Sequence, residues 1–510
     1  MGFDEKETAK LKPWLPEKWD FEADVVVVGY GGAGVCAAIT VHDAGAKVLI
    51  LEKAPVAGGN TTTAAGAIRI PTNVPDAIEY YRALTQGAVD EKEISAFAEA
   101  MVGLTLKLEA WGAELKYSSS RPQYPAFHGS KGFSQVARLD YTARQLEEGM
   151  QYLPGNHLFN FFDNLAKNRE IKVIYETPVK ELIQDAVTKE ILGVKAESLT
   201  GEIYVKARRS VVLACGGFQN NHEMLVNFLP YASQLPIYPL GTPYNTGDGI
   251  LMASEVGAKL WHMAGVEWGN LGPKVPSEKF GVGFRLRRQL PAGSQAINVN
   301  KHGKRFMDES VLLSHRKDLA KVQYFSEELG GYPNIPLYTV FDETYRKKGP
   351  IVETVMGWWR SRKLYDWSDD NSSEIELGWI VKADTIKELA EKIRVDSDAL
   401  AETVSQYNEY CTIGEDPEFS RAKGWLARLE TPPYYATELC QPIINTQGGP
   451  KHNALAQVLD KNDKPIPRLH AAGELGSFFF PLYSGGSNLP EAFAFGIIAG
   501  EQAAALTPWE

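Results

Sequence analysis

Residues 23–52 read ADVVVVGYGGAGVCAAITVHDAGAKVLILE, and this stretch decides the fold. The β-branched run 23–28 is buried-strand material. It leads directly into Gly29-Tyr30-Gly31-Gly32-Ala33-Gly34 and then into VCAAITVHDAG, which reads as a helix. A second strand over 47–51 ends in Glu52. The whole is G-x-G-x-x-G in a strand, turn, helix, strand, acid setting. Gly29 makes the turn, Gly31 lets backbone approach a pyrophosphate, and Gly34 lets the helix pack on the strand. The helix start at Gly32 and Ala33 adds N–H groups and partial positive charge. Glu52, with Lys53 beside it, stands 18 residues after Gly34, near the usual distance for a ribose hydroxyl contact.

NAD and FAD share that fingerprint, and the segment 58–66, GGNTTTAAG, separates them. Gly59, Asn60, Thr61, Ala65 and Gly66 let backbone pass close to a ligand. An FAD enzyme uses such a loop along the pyrophosphate and the flavin edge, whereas a NAD enzyme has no special need of it. The loop holds no histidine, so FAD is expected to be non-covalent. A strand over 210–214 ends in Ala214-Cys215-Gly216-Gly217, and another over 469–472 ends in Gly473-Glu474. Then come Tyr483-Ser484-Gly485-Gly486-Ser487-Asn488-Leu489 and a helix, with Pro490 suited to its first turn. That helix start suits negative charge near a reduced flavin. The expected fold class is α/β: a Rossmann-like FAD-binding domain, discontinuous in sequence, with an inserted α+β cap domain. The FAD-binding parts are 1–265 and 433–510, and the cap is 266–432.

Composition narrows the function classes. The 510 residues suggest about three domain-sized units. With 44% hydrophobic and 23% charged residues, disorder is excluded as the main state. A net charge of −11 argues against a nucleic-acid partner. No run nears the roughly 18 apolar residues of a membrane span. Residues 1–20 are charged and lack the apolar core of a secretory signal, so a cytoplasmic location is expected. Cys36, Cys215, Cys411 and Cys440 form no metal, haem or cluster spacing. No metal is expected, and electrons must come from or go to an external donor or acceptor.

The blocks VVVVGYGGAG, LEKAPVAGGNTTTAAG, VVLACGGFQNNHEM, NTGDGILMASEVGA, INVNKHGKRFMDES and AAGELGSFFFPLYSGGSNLPEAFAFGIIAGEQAA together resemble the fumarate reductase / 3-ketosteroid dehydrogenase family of FAD flavoproteins. The resemblance spans nearly the whole chain. It implies hydride exchange between flavin N5 and a carbon–carbon bond next to a carbonyl or carboxylate. It also implies that Val179 meets the adenine and that Asp248 approaches the flavin.

The resemblance leans to the ketosteroid branch. The dicarboxylate branch has a histidine before T-x-G-G, where this chain has Asn445 before Thr446-Gln447-Gly448-Gly449. Its His-Pro-Thr element is missing as well. Arg316 stands for the proton-delivering arginine in the alternative reading, an enoate reductase. The ketosteroid branch uses a tyrosine in Y-x-G-x-G, matched by Tyr483 and Gly485, with the Ser487 N–H in place of the second glycine's. Tyr124 in QYPAF resembles a second tyrosine of that branch. Its base position, after the GKRF block, holds no tyrosine here, so the base is missing or replaced; His315 is the substitute, or else a surface histidine. Independently of the family, a phenol and backbone N–H groups at a ketone oxygen stabilise the enolate that forms there. The aromatic run Phe478-Phe479-Phe480 beside Tyr483, with Trp261, Trp268, Trp358 and Trp359, favours a small apolar ketone such as a steroid or a smaller ring. In the cap, INVNKHGKRFMDE reads as a strand with a turn at Lys301-His302-Gly303. Thr385 with Glu388 forms a capping box, Asp384 being the other choice of cap, and a helix follows over 397–410. The stretch 347–374 reads as irregular, either a lid or a surface excursion.

Overall fold

The computed structural model describes residues 15–140, 154–229, 237–275, 282–286, 293–311, 319–357 and 365–509. They belong to two compact units. The first comprises Met1–Met224, Gly241–Val266 and Asn445–Glu510, and the second Leu225–Leu240 and Glu267–Ile444.

In the first unit, β1 (Phe21–Val28) lies inside an eight-stranded sheet with β2 (Val48–Leu51), β3 (Lys172–Ile174), β4 (Val179–Gln184), β5 (Ile191–Ser198), β6 (Gly201–Leu213), β7 (Gln457–Leu459) and β8 (Pro465–Ala471). The path runs β7-β8-β6-β1-β2-β3, with β5 pairing β6 and β4 pairing β5. The β8-β6-β1-β2-β3 stretch is parallel throughout, as crossover connections require. Valines 25–28 are at most 6% exposed, which is why this strand carries no polar alternation. Between β1 and β2 runs α1 (Gly32–Asp43), buried from Gly32 through Val41. It is apolar all round because it is covered on all sides. One cover is α2 (Asn488–Ala505). A side chain at Gly496 would collide with the Ala33 carbonyl, and one at Gly500 would stand 2.6 Å from that of Ala37, so the two backbones approach closely.

A second layer of the same unit packs Val74–Thr85 and Glu91–Ala110 with a three-stranded antiparallel sheet, Ile68–Arg69, Gln135–Leu139 and Leu115–Ser119. Here the sequence expectation needs correcting. Phe478 and Phe479 are each 1% exposed, and Phe478 lies 4.3 Å from Phe97 between ring centroids. Phe478 and Phe479 belong to the core, packed among Tyr81, Phe97 and Phe495, while Phe480 is half-buried and stacks on His262. Trp268 is likewise buried, Trp261 stacks on His262, and Trp358 and Trp359 lie outside the described residues.

The second unit is built on Tyr434–Thr446. This strand pairs antiparallel with Leu337–Asp342 and Val381–Ala383 and parallel with Ile237–Pro239. Those pairings place residues 434–444 and 225–240 in this unit alongside the stretch after 266. The turn at Lys301-His302-Gly303 is present, with Gly303 at φ +71°. Thr385 caps Ile386–Ile393 by accepting from the Glu388 N–H at 3.1 Å. The Glu388 carboxylate reaches back to the Asp384 N–H at 2.9 Å. The next helix is Ser397–Ile413, longer than the sequence suggested. Within 347–374, Val352–Gly357 forms a strand that pairs with Val282–Leu286, and 358–364 lie outside the described residues.

Candidate active site

The turn after β1 is shaped by two close approaches. Gly29 has φ +103°, and a Cβ there would collide with the Ala214 carbonyl at the end of β6. A Cβ on Gly34 would collide with the Gly29 carbonyl. Gly31 differs: a Cβ there would meet nothing nearer than 3.9 Å. It is the N-cap of α1 and supplies no side-chain cap, and no acid stands in the first turn. Gly59 sits against it, 3.3 Å from a would-be Cβ to the Gly31 Cα. The Gly32 N–H donates to the Thr61 hydroxyl at 3.1 Å, tying the two loops together. Thr61 belongs to a 3-10 turn, Gly59–Thr63. Ala33 meets Gly473, 3.1 Å from its would-be Cβ. Bare glycine backbone at a helix start, with no acid in the first turn, fits a pyrophosphate.

Glu52 is buried and accepts from the N–H groups of Tyr30 and Ala54, each at 2.6 Å. Burial pushes its carboxyl up, against those two N–H groups. Lys53 turns to the Asp248 carboxylate at 2.7 Å and the Thr246 hydroxyl at 2.6 Å. Asp248 sits in the first turn of Asp248–Glu255, where a negative charge suits the helix dipole. Val179 is buried at the start of β4, Ala65 is exposed, and Gly66 has φ +64°.

Glu474 joins three segments. Asn60 donates to both its oxygens at 2.9 and 3.0 Å, and Asn245 donates at 3.0 Å. Burial pushes this carboxyl up to about 7. Asn245 also lies against Gly216, at 2.5 Å from a would-be Cβ. The sequence reading missed Asn245, although it stands in the quoted NTGDG block. Beyond it, Asn488 donates to Asn445 at 2.9 Å and accepts from Gln447 at 3.4 Å. Buried polar atoms without a protein partner lie on these segments: both amide atoms of Gln219, Oε1 of Gln447 and Oγ of Ser487. Buried polar atoms are normally satisfied, so a bound polar group is the fitting partner. Leu489 packs partly buried on the main core.

Tyr483 is 8% exposed, and its phenol oxygen accepts from the N–H groups of Gly486, Ser487 and Asn488 at 3.0, 3.2 and 3.4 Å. The Ser487 N–H is thus already shared between the phenol and the Ser484 carbonyl, which it meets at 3.1 Å. Burial pushes this phenol up, against those three N–H groups. Tyr124 is half-buried and stacks on Phe127 at 5.0 Å. Its neighbour Gln123 accepts from the Gly485 N–H at 2.6 Å, which brings this segment to the glycine turn. His315 and Arg316 lie outside the described residues. One buried residue here was not singled out from sequence. Arg69 donates to the Gly485 and Phe133 carbonyls, each at 2.7 Å, and to the Ser120 hydroxyl at 2.9 Å.

The parallel sheet, the bare helix start and the polar belt define a dinucleotide-binding flavoprotein. The family described as FAD binding domain matches residues 24–489, and the chain belongs to it. It is 29% identical to the urocanate reductase of Eggerthella lenta, over 98% of this chain and 78% of that one. It is 30% identical to a probable fumarate reductase of Shewanella frigidimarina, over 94% and 74%. A solved 3-ketosteroid delta1-dehydrogenase from Sterolibacterium denitrificans, in complex with 1,4-androstadiene-3,17-dione, superposes with a TM-score of 0.77 at 25% identity, over 95% of this chain and 99% of that one. The chain is therefore an FAD-dependent oxidoreductase acting on carbon–carbon bonds. No helix among the described residues is long and apolar enough to cross a membrane.

Proposed function

We propose that the enzyme acts on the bond next to a ketone in a small apolar cyclic molecule, a steroid or a smaller ring. Bound FAD supplies the hydride acceptor or donor. The protein's part is to hold the ketone and manage charge and protons. The start of α1 with Gly31, Gly59 and Thr61 takes the pyrophosphate, Glu52 the ribose, and the Glu474–Asn60–Asn245 group lines the cofactor's path. Tyr483, held by the adjoining backbone N–H groups, polarises the ketone oxygen, and His315 moves the α-proton. The observation that carries this reading is the Tyr483 oxygen gathering three N–H groups at the start of α2. A phenol so held is fixed in place and strengthened as a donor toward an enolate oxygen. The Gly29–Gly34 unit is the FAD-binding part and the second unit the cap. The electron partner is external, and the location cytoplasmic.

The likeness to urocanate and fumarate reductases supports a second reading, an enoate reductase using Arg316 as proton donor. Asn445 argues against a fumarate site, because it is neutral and already bonded to Asn488. Anaerobic mixing separates the two. Oxidised enzyme is offered 4-androstene-3,17-dione, 4-oxocyclohexanecarboxylate and cyclohexanone, and photoreduced enzyme is offered urocanate and fumarate. Bleaching by a ketone, with slow reoxidation by both enoates, is expected. Fast reoxidation by an enoate and no bleaching by any ketone would overturn the ketone reading.

A further inference from the structure

Two successive peptide planes beside Tyr483 are each held at both edges. In a trans peptide the C=O and the following N–H point opposite ways. The Gly485 carbonyl accepts from Arg69 Nε at 2.7 Å, while the Gly486 N–H, on the other edge of that plane, donates to the Tyr483 oxygen at 3.0 Å. The Gly486 carbonyl accepts from the Arg69 backbone N–H at 2.9 Å, while the Ser487 N–H donates to the same phenol at 3.2 Å. Gly486, at φ +84°, gives the chain the left-handed bend between the two planes. Arg69 is 7% exposed, and its side-chain donors go to two carbonyls and a hydroxyl rather than to a carboxylate. Among the described residues no carboxylate pairs with it, and a buried guanidinium so placed leans on the groups it touches.

We propose that Arg69 is a positioning residue for the carbonyl-polarising end of the site, acting on Tyr483 through the Gly485–Gly486 peptide. A cation on the carbonyl draws electrons from the peptide and strengthens its N–H as a donor, and that N–H in turn strengthens the phenol as a donor. The guanidinium thus reaches the ketone oxygen at second hand while also fixing the angle at which Tyr483 presents itself. The inference rests on the ketone-polarising role of Tyr483.

A double-mutant cycle on the FAD-loaded enzyme tests it. Arg69→Met, Tyr483→Phe and the double variant are compared for anaerobic flavin reduction by whichever of the three ketones above bleaches fastest. Arg69→Met is expected to slow reduction about 10- to 100-fold, as for loss of a charge-assisted hydrogen bond, with FAD still bound. In the Tyr483→Phe background the same change is expected to cost no more than about 2-fold, as for a route already cut. Equal losses in both backgrounds would overturn the inference and leave the Tyr483 reading standing. If Tyr483→Phe alone costs nothing, or no ketone bleaches the flavin, that reading falls and takes this inference with it. Should Arg69→Met fail to fold, Arg69→Lys enters the same cycle, since it keeps the charge but lacks Nε. Equal losses from Arg69→Lys in the two backgrounds overturn the inference in the same way.

Discussion

Helices α1 and α2 both begin at glycine-rich turns of the first unit, yet their N-terminal N–H groups have opposite uses. At α1 the N-cap is Gly31, which has no side chain to fold back, and the nearest atoms to a would-be Cβ are backbone of Gly58 and Gly59 at 3.9 Å. At α2 the cap comes from Tyr483, four residues before Ser487, whose phenol oxygen takes the N–H groups of 486–488. The positive end of one helix carries no side-chain cap, and in the proposed reading it takes the cofactor's phosphate. The positive end of the other is turned on a side chain, which in that reading passes the polarisation on. An ordinary cap elsewhere in the chain, Thr385 on Ile386–Ile393, does neither and simply closes its helix.

Gly34→Val attacks the α1 side most severely. Its Cβ meets the Gly29 carbonyl, so the turn must open. Purified protein is expected to release almost no FAD on denaturation, and full FAD content would show that the bare helix start is not the phosphate site. Tyr483→Phe attacks the α2 side. Loss of one oxyanion donor costs about 100- to 1000-fold in rate, so flavin reduction by ketone should fall by that much with FAD content unchanged. Near-normal rates would return the tyrosine to a purely capping role.

A gentler probe is the acid in the first turn of α2. Glu491 accepts from the Ser477 hydroxyl and the Phe478 N–H, and burial pushes its carboxyl up from 4.5 to about 8. Between those values the folded protein keeps a proton that the unfolded chain has released. Stability therefore falls as pH rises across that window, by at most about 1.4 kcal/mol per pH unit. Glu491→Gln should flatten the slope in urea unfolding compared at about pH 5 and about pH 8. An unchanged slope would show that other groups set it. The smallest effect belongs to Thr385→Ala, expected to cost about 1 kcal/mol in urea unfolding. FAD content and flavin reduction should stay as they were, and a drop in either would mean that this cap also serves the site.

The cofactor end was readable because its signal is contiguous. Gly29 to Gly34 and Glu52 must follow one another at fixed spacing for a strand, turn and helix to form at all. The α2 end was readable in residue type only. That Tyr483 directs its oxygen at its own helix, and that the Ser487 N–H is directed back at that oxygen, depend on backbone angles around Gly486. Arg69 was invisible because it stands alone in an apolar stretch and finds its partner 416 positions later. Phe478 and Phe479 misled for a related reason. Their partners Tyr81 and Phe97 come from distant helices, and composition cannot tell a core from a pocket wall.

The close packing of α2 on α1 carries a consequence for biosynthesis. Asn60 and its partner Glu474 are separated by 414 positions, and α2 follows Glu474. While the ribosome is still making the intervening chain, α1 has left the exit tunnel with the side that α2 will cover still exposed. The glycine-lined face that will receive it does not yet exist. The second unit, from its middle strand backward, is complete before the first can close. Until α2 is made the nascent chain therefore carries α1 without the glycine-lined partner it packs on, and a truncation just before α2 is expected to yield a product for the proteases rather than a weaker enzyme.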